Sequence, residues 1–205
     1  MKSVAIYLAM SMLLGVSGLA IYRSRVPLVK SVNVSPIDLL AGARKLEGPS
    51  DAKVKVIEFI DYECAPCRKV DASLSRLRAE HHDIGWYVRQ LPLTMHEDAR
   101  SLASMSILSA AKGKLRQVHG WLYENQNVDM RKKAEYVAST LGIDALTLDA
   151  EMSRPTIQEE IDKDIKDANR FGAHGTPSIF VEAPNGVIFV GSDTTSLEKF
   201  IKQVG

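Results

Sequence analysis

The chain has 205 residues, 25% of them charged, with 26 basic against 25 acidic side chains and a net charge of +1. That balance offers no basic stripe for a nucleic-acid partner, and the length suits one domain with room for an insertion. Two cysteines in the whole chain leave no framework of structural bridges, so cysteine usage does not identify the compartment.

Residues 4–22 contain no formal charge and are flanked by Lys2, Arg23 and Arg25. A signal-peptide core runs about 7 to 15 residues and a membrane span about 20. The stretch therefore reads as an uncleaved N-terminal hydrophobic helix anchoring the chain, in preference to a removed signal with its cleavage candidate at Gly18-Leu19-Ala20. The positive-inside rule is close to balanced here, because Lys2 and the amino terminus oppose Arg23, Arg25 and Lys30. Residues 23–50, with three prolines, two glycines and a short apolar patch from Ile37 to Ala41, read as a linker with room for a short helix.

Residues 54–60 (VKVIEFI) are rich in β-branched and aromatic side chains and predict a buried strand. After Cys67 the apolar spacing changes to Val70, Leu74 and Leu77, one face of a helix running to about Glu80. Cys64 then sits at a helix N-terminus, where unpaired N–H groups and the dipole favour a thiolate. Cys67 lies one turn on, within disulfide reach, so the pair can open and close as a redox couple. A zinc site would need two further ligands, and His81, His82, His96, His119 and His174 include no pair at ligand spacing. No metal and no cofactor are expected.

Residues 84–91 predict the second strand of a right-handed βαβ unit, parallel to the first. From about residue 95 to 153 the apolar spacing is helical, a helical insertion in which Met105, Trp121 and Tyr123 read as core. Pro155 opens another helix, where Ile157, Ile161 and Ile165 pack and the interspersed charges read as a wet face. The chain then turns through Gly175-Thr176-Pro177 into a strand. Pro184-Asn185-Gly186 predicts a hairpin back through Val187 to Val190. A capping box at Thr195-Ser196-Leu197-Glu198 predicts a last helix that packs Leu197, Phe200, Ile201 and Val204.

Residues 48–67 (GPSDAKVKVIEFIDYECAPC) resemble the active-site segment of DsbA-family thiol:disulfide oxidoreductases. Residues 171–181 (FGAHGTPSIFV) are similar to the family's cis-proline loop and strand, and residues 118–126 (VHGWLYENQ) resemble a helix of its insert. The resemblance covers roughly residues 48–205 and implies an α/β thioredoxin-like fold with an inserted helical subdomain, in a domain of residues 51–205. It departs from the family at Ala65-Pro66, which lacks the histidine found before the second cysteine in the best-known oxidants, and so leaves the direction of electron flow open.

The chemistry of exchange needs an attacking thiolate and a second thiol to resolve the mixed disulfide. Cys64, first in the helix, is the expected attacker and Cys67 the resolver. By resemblance the Thr176–Pro177 bond is cis, exposing the Thr176 backbone to an extended partner chain by strand addition. Glu58, an acid among strand residues, matches a buried family carboxylate and is expected to shuttle the Cys67 proton. His174 is a candidate substrate contact. Asp61 and Glu63 belong to the strand-to-helix turn, where a negative Glu63 beside Cys64 opposes thiolate formation.

The expected function is an exported oxidoreductase of periplasmic or other extracytoplasmic location. Its partners are protein substrates with cysteines, a redox-recycling membrane protein, and the membrane itself through residues 4–22. A membrane-tethered reductase or isomerase, and a thioredoxin-like binding module of an envelope assembly, are the competing readings.

Overall fold

The computed structural model describes residues 30–204. The expected hydrophobic anchor at residues 4–22 lies outside them. Among the described residues no helix is long and apolar enough to cross a membrane.

Six strands form one mixed sheet: β1 (Lys30–Ser31), β2 (Arg44–Glu47), β3 (Lys55–Ile60), β4 (Gly85–Gln90), β5 (Ser178–Ala183) and β6 (Gly186–Gly191), in the order β1-β6-β5-β3-β4-β2. β3 is central, parallel to β4 on one side and antiparallel to β5 on the other. Both of its faces are covered, which is why its sequence is a nearly continuous apolar run. Ile57 and Phe59 enter one apolar cluster with Leu39, Phe171 and Phe180, while Val56 and Ile60 enter a larger one on the opposite face with Trp86, Leu74 and the two cysteines.

Besides β1, the region read as a linker contributes two further elements. Pro36–Leu40 forms a short helix, α1, and Arg44–Glu47 pairs antiparallel with β4 as the sheet's edge. Gly48 ends that strand at φ +80°, and a Cβ there would meet the Ile84 carbonyl oxygen at 1.9 Å. Only glycine fits this approach of two backbones.

The helices follow as α2 (Ala65–Glu80), α3 (Ala99–Ala111), α4 (Leu115–Glu124), α5 (Met130–Leu141), α6 (Ala145–Met152), α7 (Pro155–Phe171) and α8 (Thr194–Val204). Helices α3 to α6 are the helical subdomain, inserted between β4 and α7. Its central member α3 is buried nearly all round, Ser104, Ser106 and Ser109 included, as befits a helix packed on several sides. Met105 and Tyr123 are core, as expected, and Trp121 stacks on Tyr136 with ring centroids 3.9 Å apart.

Two expectations at the C-terminal side need correction. The charged side of α7 is not simply a wet face. Asp164 and Asp167 are buried and bind the fully buried Arg89 of β4, at 2.8 Å from Nε and 2.6 Å from Nη2, and Asp164 also accepts from Arg44 at 2.6 Å. A cation in a strand and two acids 75 and 78 residues further along the chain give no local signal of one another. Helix α8 is capped by Asp193, not Thr195: its Oδ1 accepts from the Thr195 and Ser196 N–H groups at 3.0 and 3.1 Å. Val204 is exposed at its end, while Leu197 and Ile201 pack.

Candidate active site

The site is assembled where β3 ends. Asp61 Oδ1 accepts the Glu63 N–H at 2.8 Å and its carbonyl accepts the Cys64 N–H at 3.2 Å, which folds the chain from strand into helix. The other carboxylate oxygen of this buried Asp61 accepts the Leu93 N–H and bonds His96 Nδ1, both at 2.8 Å. One aspartate thus ties the cysteine turn to the loop that leads into the insert. Glu63 points the same way: its Oε2 accepts the Asp98 N–H at 2.7 Å, at the start of α3. Its charge is committed to a helix N-terminus rather than left free beside Cys64.

Cys64 is the N-cap of α2, with extended backbone (φ −71°, ψ 111°). Its Sγ accepts the Cys67 N–H at 3.3 Å, in the place where a serine or aspartate oxygen usually caps. An ionised sulfur accepts such a bond better than a thiol does. On its other side the Cys64 thiol donates to the Thr176 carbonyl oxygen at 3.4 Å. The Thr176–Pro177 bond is cis, and Pro177 is buried. The structure therefore brings Cys64, Cys67, Thr176 and Pro177 together across 112 residues of sequence. His174, three residues before Pro177, is exposed on the same loop.

Cys64 keeps 4% of its surface and Cys67 none. Burial pushes the Cys67 thiol well above its ordinary value, and the nearby Glu58 charge pushes it further. The buried Thr176 hydroxyl acts weakly in the opposite sense, although it makes no formed hydrogen bond. Glu58 sits on the β3 face shared by Val56 and Ile60, 2% exposed. Burial, helped by the charge of Asp71 and opposed by Arg78, raises it from 4.5 to about 8, and its Oε1 has no hydrogen-bond partner. A carboxyl of this kind is protonated at neutral pH and sits beside a thiol that must exchange a proton.

A second layer escaped the sequence reading. Tyr62 shares its hydroxyl with Ser106 and with His119 Nδ1, each at 3.0 Å, and His119 Nε2 bonds Asp71 at 3.1 Å. Asp71 also accepts from Arg78 at 2.8 Å. Burial would raise this carboxyl, but His119 and Arg78 overcome it and hold Asp71 at about 2. The available signal was the i, i+4 spacing of His119 and Tyr123 on the apolar face of α4. Among the described residues no group of three or more His, Cys, Asp or Glu side chains is placed to hold a metal ion.

The family model described as Thioredoxin matches residues 42–203. The chain belongs to the thioredoxin family. Within it, the architecture is of the DsbA type. The crystal structure of oxidised BdbD from Bacillus subtilis superposes with a TM-score of 0.69 at 19% identity, covering 85% of this chain and 97% of that one. At that identity the likeness shows the fold. Among curated relatives, a probable disulfide bond formation protein D from Bacillus cereus is 27% identical over 169 residues, 75% of each chain. A Na(+)/H(+) antiporter NhaA from Herminiimonas arsenicoxydans is 31% identical over 138 residues, which are 67% of this chain and 22% of the antiporter. The chain thus spans about a fifth of the length of such antiporter relatives. Family relatives and structural neighbours include thiol-disulfide exchange and disulfide-bond formation proteins.

Proposed function

We propose that this protein is a thiol:disulfide oxidoreductase that exchanges disulfides with protein substrates through Cys64 and Cys67. The observation that carries the reading is the seat of Cys64 Sγ, held between the Cys67 N–H and the Thr176 carbonyl at the start of α2. Cys64 attacks or is attacked, because it retains the only exposed surface of the pair. Cys67 resolves the mixed disulfide from beneath.

Glu58 manages the proton of this second step. When an incoming thiolate opens the Cys64–Cys67 disulfide, Cys67 leaves as a thiolate and takes the proton of the Glu58 carboxyl. In the reverse step the ionised carboxylate accepts it. Thr176 and Pro177 form the wall against which an extended substrate segment lies, and His174 stands at its edge. A carbonyl already engaged by Cys64 is freed for such pairing when the sulfur enters a mixed disulfide.

Export belongs to the same reading. The uncharged residues 4–22 support tethering at a membrane, with the domain on its outer side and a membrane partner recycling the cysteine pair. Cys64→Ser is expected to abolish oxidative refolding of a reduced substrate and reduction of insulin. Retention of either by Cys64→Ser refutes the assignment. Cys67→Ser is expected to accumulate mixed disulfides through Cys64, which a passive binding module would not do. A redox titration against glutathione separates an oxidant from a reductase or isomerase.

A further inference from the structure

Each residue of the turn Asp61-Tyr62-Glu63, which delivers the chain from β3 to Cys64, is fastened to the helical insert or to the loop leading into it. Asp61 and Glu63 hold the Leu93 and Asp98 N–H groups, at 2.8 and 2.7 Å. Tyr62, 1% exposed, reaches furthest: its hydroxyl lies 3.0 Å from both Ser106 Oγ of α3 and His119 Nδ1 of α4. Its backbone carbonyl accepts a hydrogen bond from Gln126 Nε2 at 2.8 Å. Gln126 is the last residue of the stretch 118–126 that resembles an insert helix in sequence, and the exchange chemistry gives it no task.

The bond acts on one peptide plane. Gln126 holds the carbonyl of the Tyr62–Glu63 peptide and Asp61 Oδ1 holds its N–H, each at 2.8 Å, so the plane is fixed at both ends. A peptide unit is rigid, and only the dihedrals on either side of it are soft. With this plane fixed, the Cys64 N–H meets the Asp61 carbonyl at 3.2 Å, and Cys64 Sγ lies 3.3 Å from the Cys67 N–H and 3.4 Å from the Thr176 carbonyl. Gln126 is itself anchored. Its carbonyl accepts from Nζ of the buried Lys133 of α5 at 2.9 Å. Asn125, just before it, donates both its backbone N–H and its side-chain amide to the Trp121 carbonyl, each at 2.9 Å. A loose surface amide could not set a dihedral, whereas this one stands on a loop pinned from α4 and α5.

We propose that Gln126 is a positioning residue of the cysteine pair: through its amide the insert sets the tilt of the Tyr62–Glu63 peptide, and with it the reach of Cys64 Sγ to the Cys67 N–H. The proposal deepens the exchange chemistry proposed above and rests on it. The Cys67 N–H stabilises a Cys64 thiolate more than a disulfide sulfur, because the acceptor is charged in the first case only. A turn that holds this bond in place therefore favours the reduced pair. In exchange with glutathione the two thiols give up two electrons and two protons, the Cys64–Cys67 bond forms, and one glutathione disulfide becomes two glutathione thiols. Releasing the Tyr62 carbonyl from Gln126 shifts this equilibrium toward the protein disulfide.

The test equilibrates full-length Gln126→Met and Gln126→Glu with glutathione buffers at pH 7, beside the wild type. Methionine fills nearly the same space without a donor, and glutamate sets an acceptor against the Tyr62 carbonyl. Because Gln126 is only half-buried, both variants keep the fold. Each should shift the equilibrium toward disulfide by about threefold to tenfold, the worth of part or all of one hydrogen bond, with the larger shift for Gln126→Glu. Alkylation of reduced Cys64 by iodoacetamide should slow in step. Tyr62→Phe keeps the carbonyl bond and gives up only the hydroxyl contacts to Ser106 and His119, so it should lower the urea midpoints of both redox forms without shifting the equilibrium. A Gln126 bond that merely fastens a loop would likewise leave the glutathione equilibrium and the alkylation rate at their wild-type values, and that result in the Gln126 variants overturns the proposal. A shift toward the dithiol overturns it too, as does an equal shift in Tyr62→Phe. Glutathione and iodoacetamide report on the cysteine pair whether or not any protein is a substrate, so failure to exchange with proteins counts against the proposed function and not against this role of Gln126.

Discussion

Replacing Glu58 by glutamine turns its buried proton into a measurable slope. The carboxyl titrates near 4.5 in the unfolded chain and near 8 in the folded one. Below the lower value both states are neutral and the group contributes nothing. As pH rises, the unfolded chain ionises first while the folded carboxyl stays protonated, so the native state loses about 1.4 kcal/mol per pH unit. The loss levels off near pH 8, where the folded carboxyl also ionises. Between pH 5 and 7 the accumulated penalty is about 3 kcal/mol. Glutamine has nearly the same shape and does not titrate, so any fixed cost of burying its amide cancels from the slope. Urea unfolding of both reduced proteins at pH 5, 6, 7 and 8 is the assay. The stability of Glu58→Gln relative to wild type should climb by about 3 kcal/mol from pH 5 to 7, a relative midpoint shift of roughly 1 to 3 M at ordinary urea sensitivity. Parallel pH curves for the two proteins would show that the carboxyl is not held neutral by its site and would remove its role as proton donor to Cys67.

Arg89→Ala should destabilise the fold by roughly 3 kcal/mol in the same assay, because it removes the fully buried cation that joins Asp164 and Asp167 and leaves them only the more peripheral Arg44 and Lys163. Gly48→Ala should cost at least about 1 kcal/mol, from the strained positive φ together with the 1.9 Å approach to the Ile84 carbonyl, read as a lower thermal midpoint. Asp193→Ala should cost about 1 kcal/mol and Thr195→Ala only a few tenths, a pair of melts that separates the observed cap from the capping box. Asp61→Ala should slow insulin reduction and lower the urea midpoint, since it releases the Glu63 and Leu93 N–H groups and His96 together, each buried donor costing about 1 to 3 kcal/mol when left unpaired.

What the sequence determined by itself was whatever local pattern encodes. The run through residues 54–60, the change to helical spacing after Cys67 and the proline-bearing helix start specify β3 and α2 without help from elsewhere. They put Cys64 at a helix N-cap, and the Pro-Asn-Gly turn specified the β5–β6 hairpin in the same way. The pairing of the cysteines with Thr176 and Pro177 was legible only through resemblance, because nothing local links positions 112 residues apart.

Tertiary structure decided the rest, for reasons of burial. Acids on α7 look solvated until β4 offers Arg89 beneath them. Glu63 looks like a charge beside Cys64 until α3 offers it a backbone N–H. Thr195 looks like the cap of α8 until Asp193 takes both N–H groups first. Strand β2 has too little apolar pattern to stand out, and it is a strand because β4 presents an open edge. The proton chemistry shows the limit most plainly. A glutamate in a strand is visible in sequence, but its neutrality is set by burial beneath the folded chain and by the Asp71 charge, which α2 brings near only once it has docked on the sheet. Sequence names the ionisable groups, and the distances between them, which fix their charge, come from the folded chain.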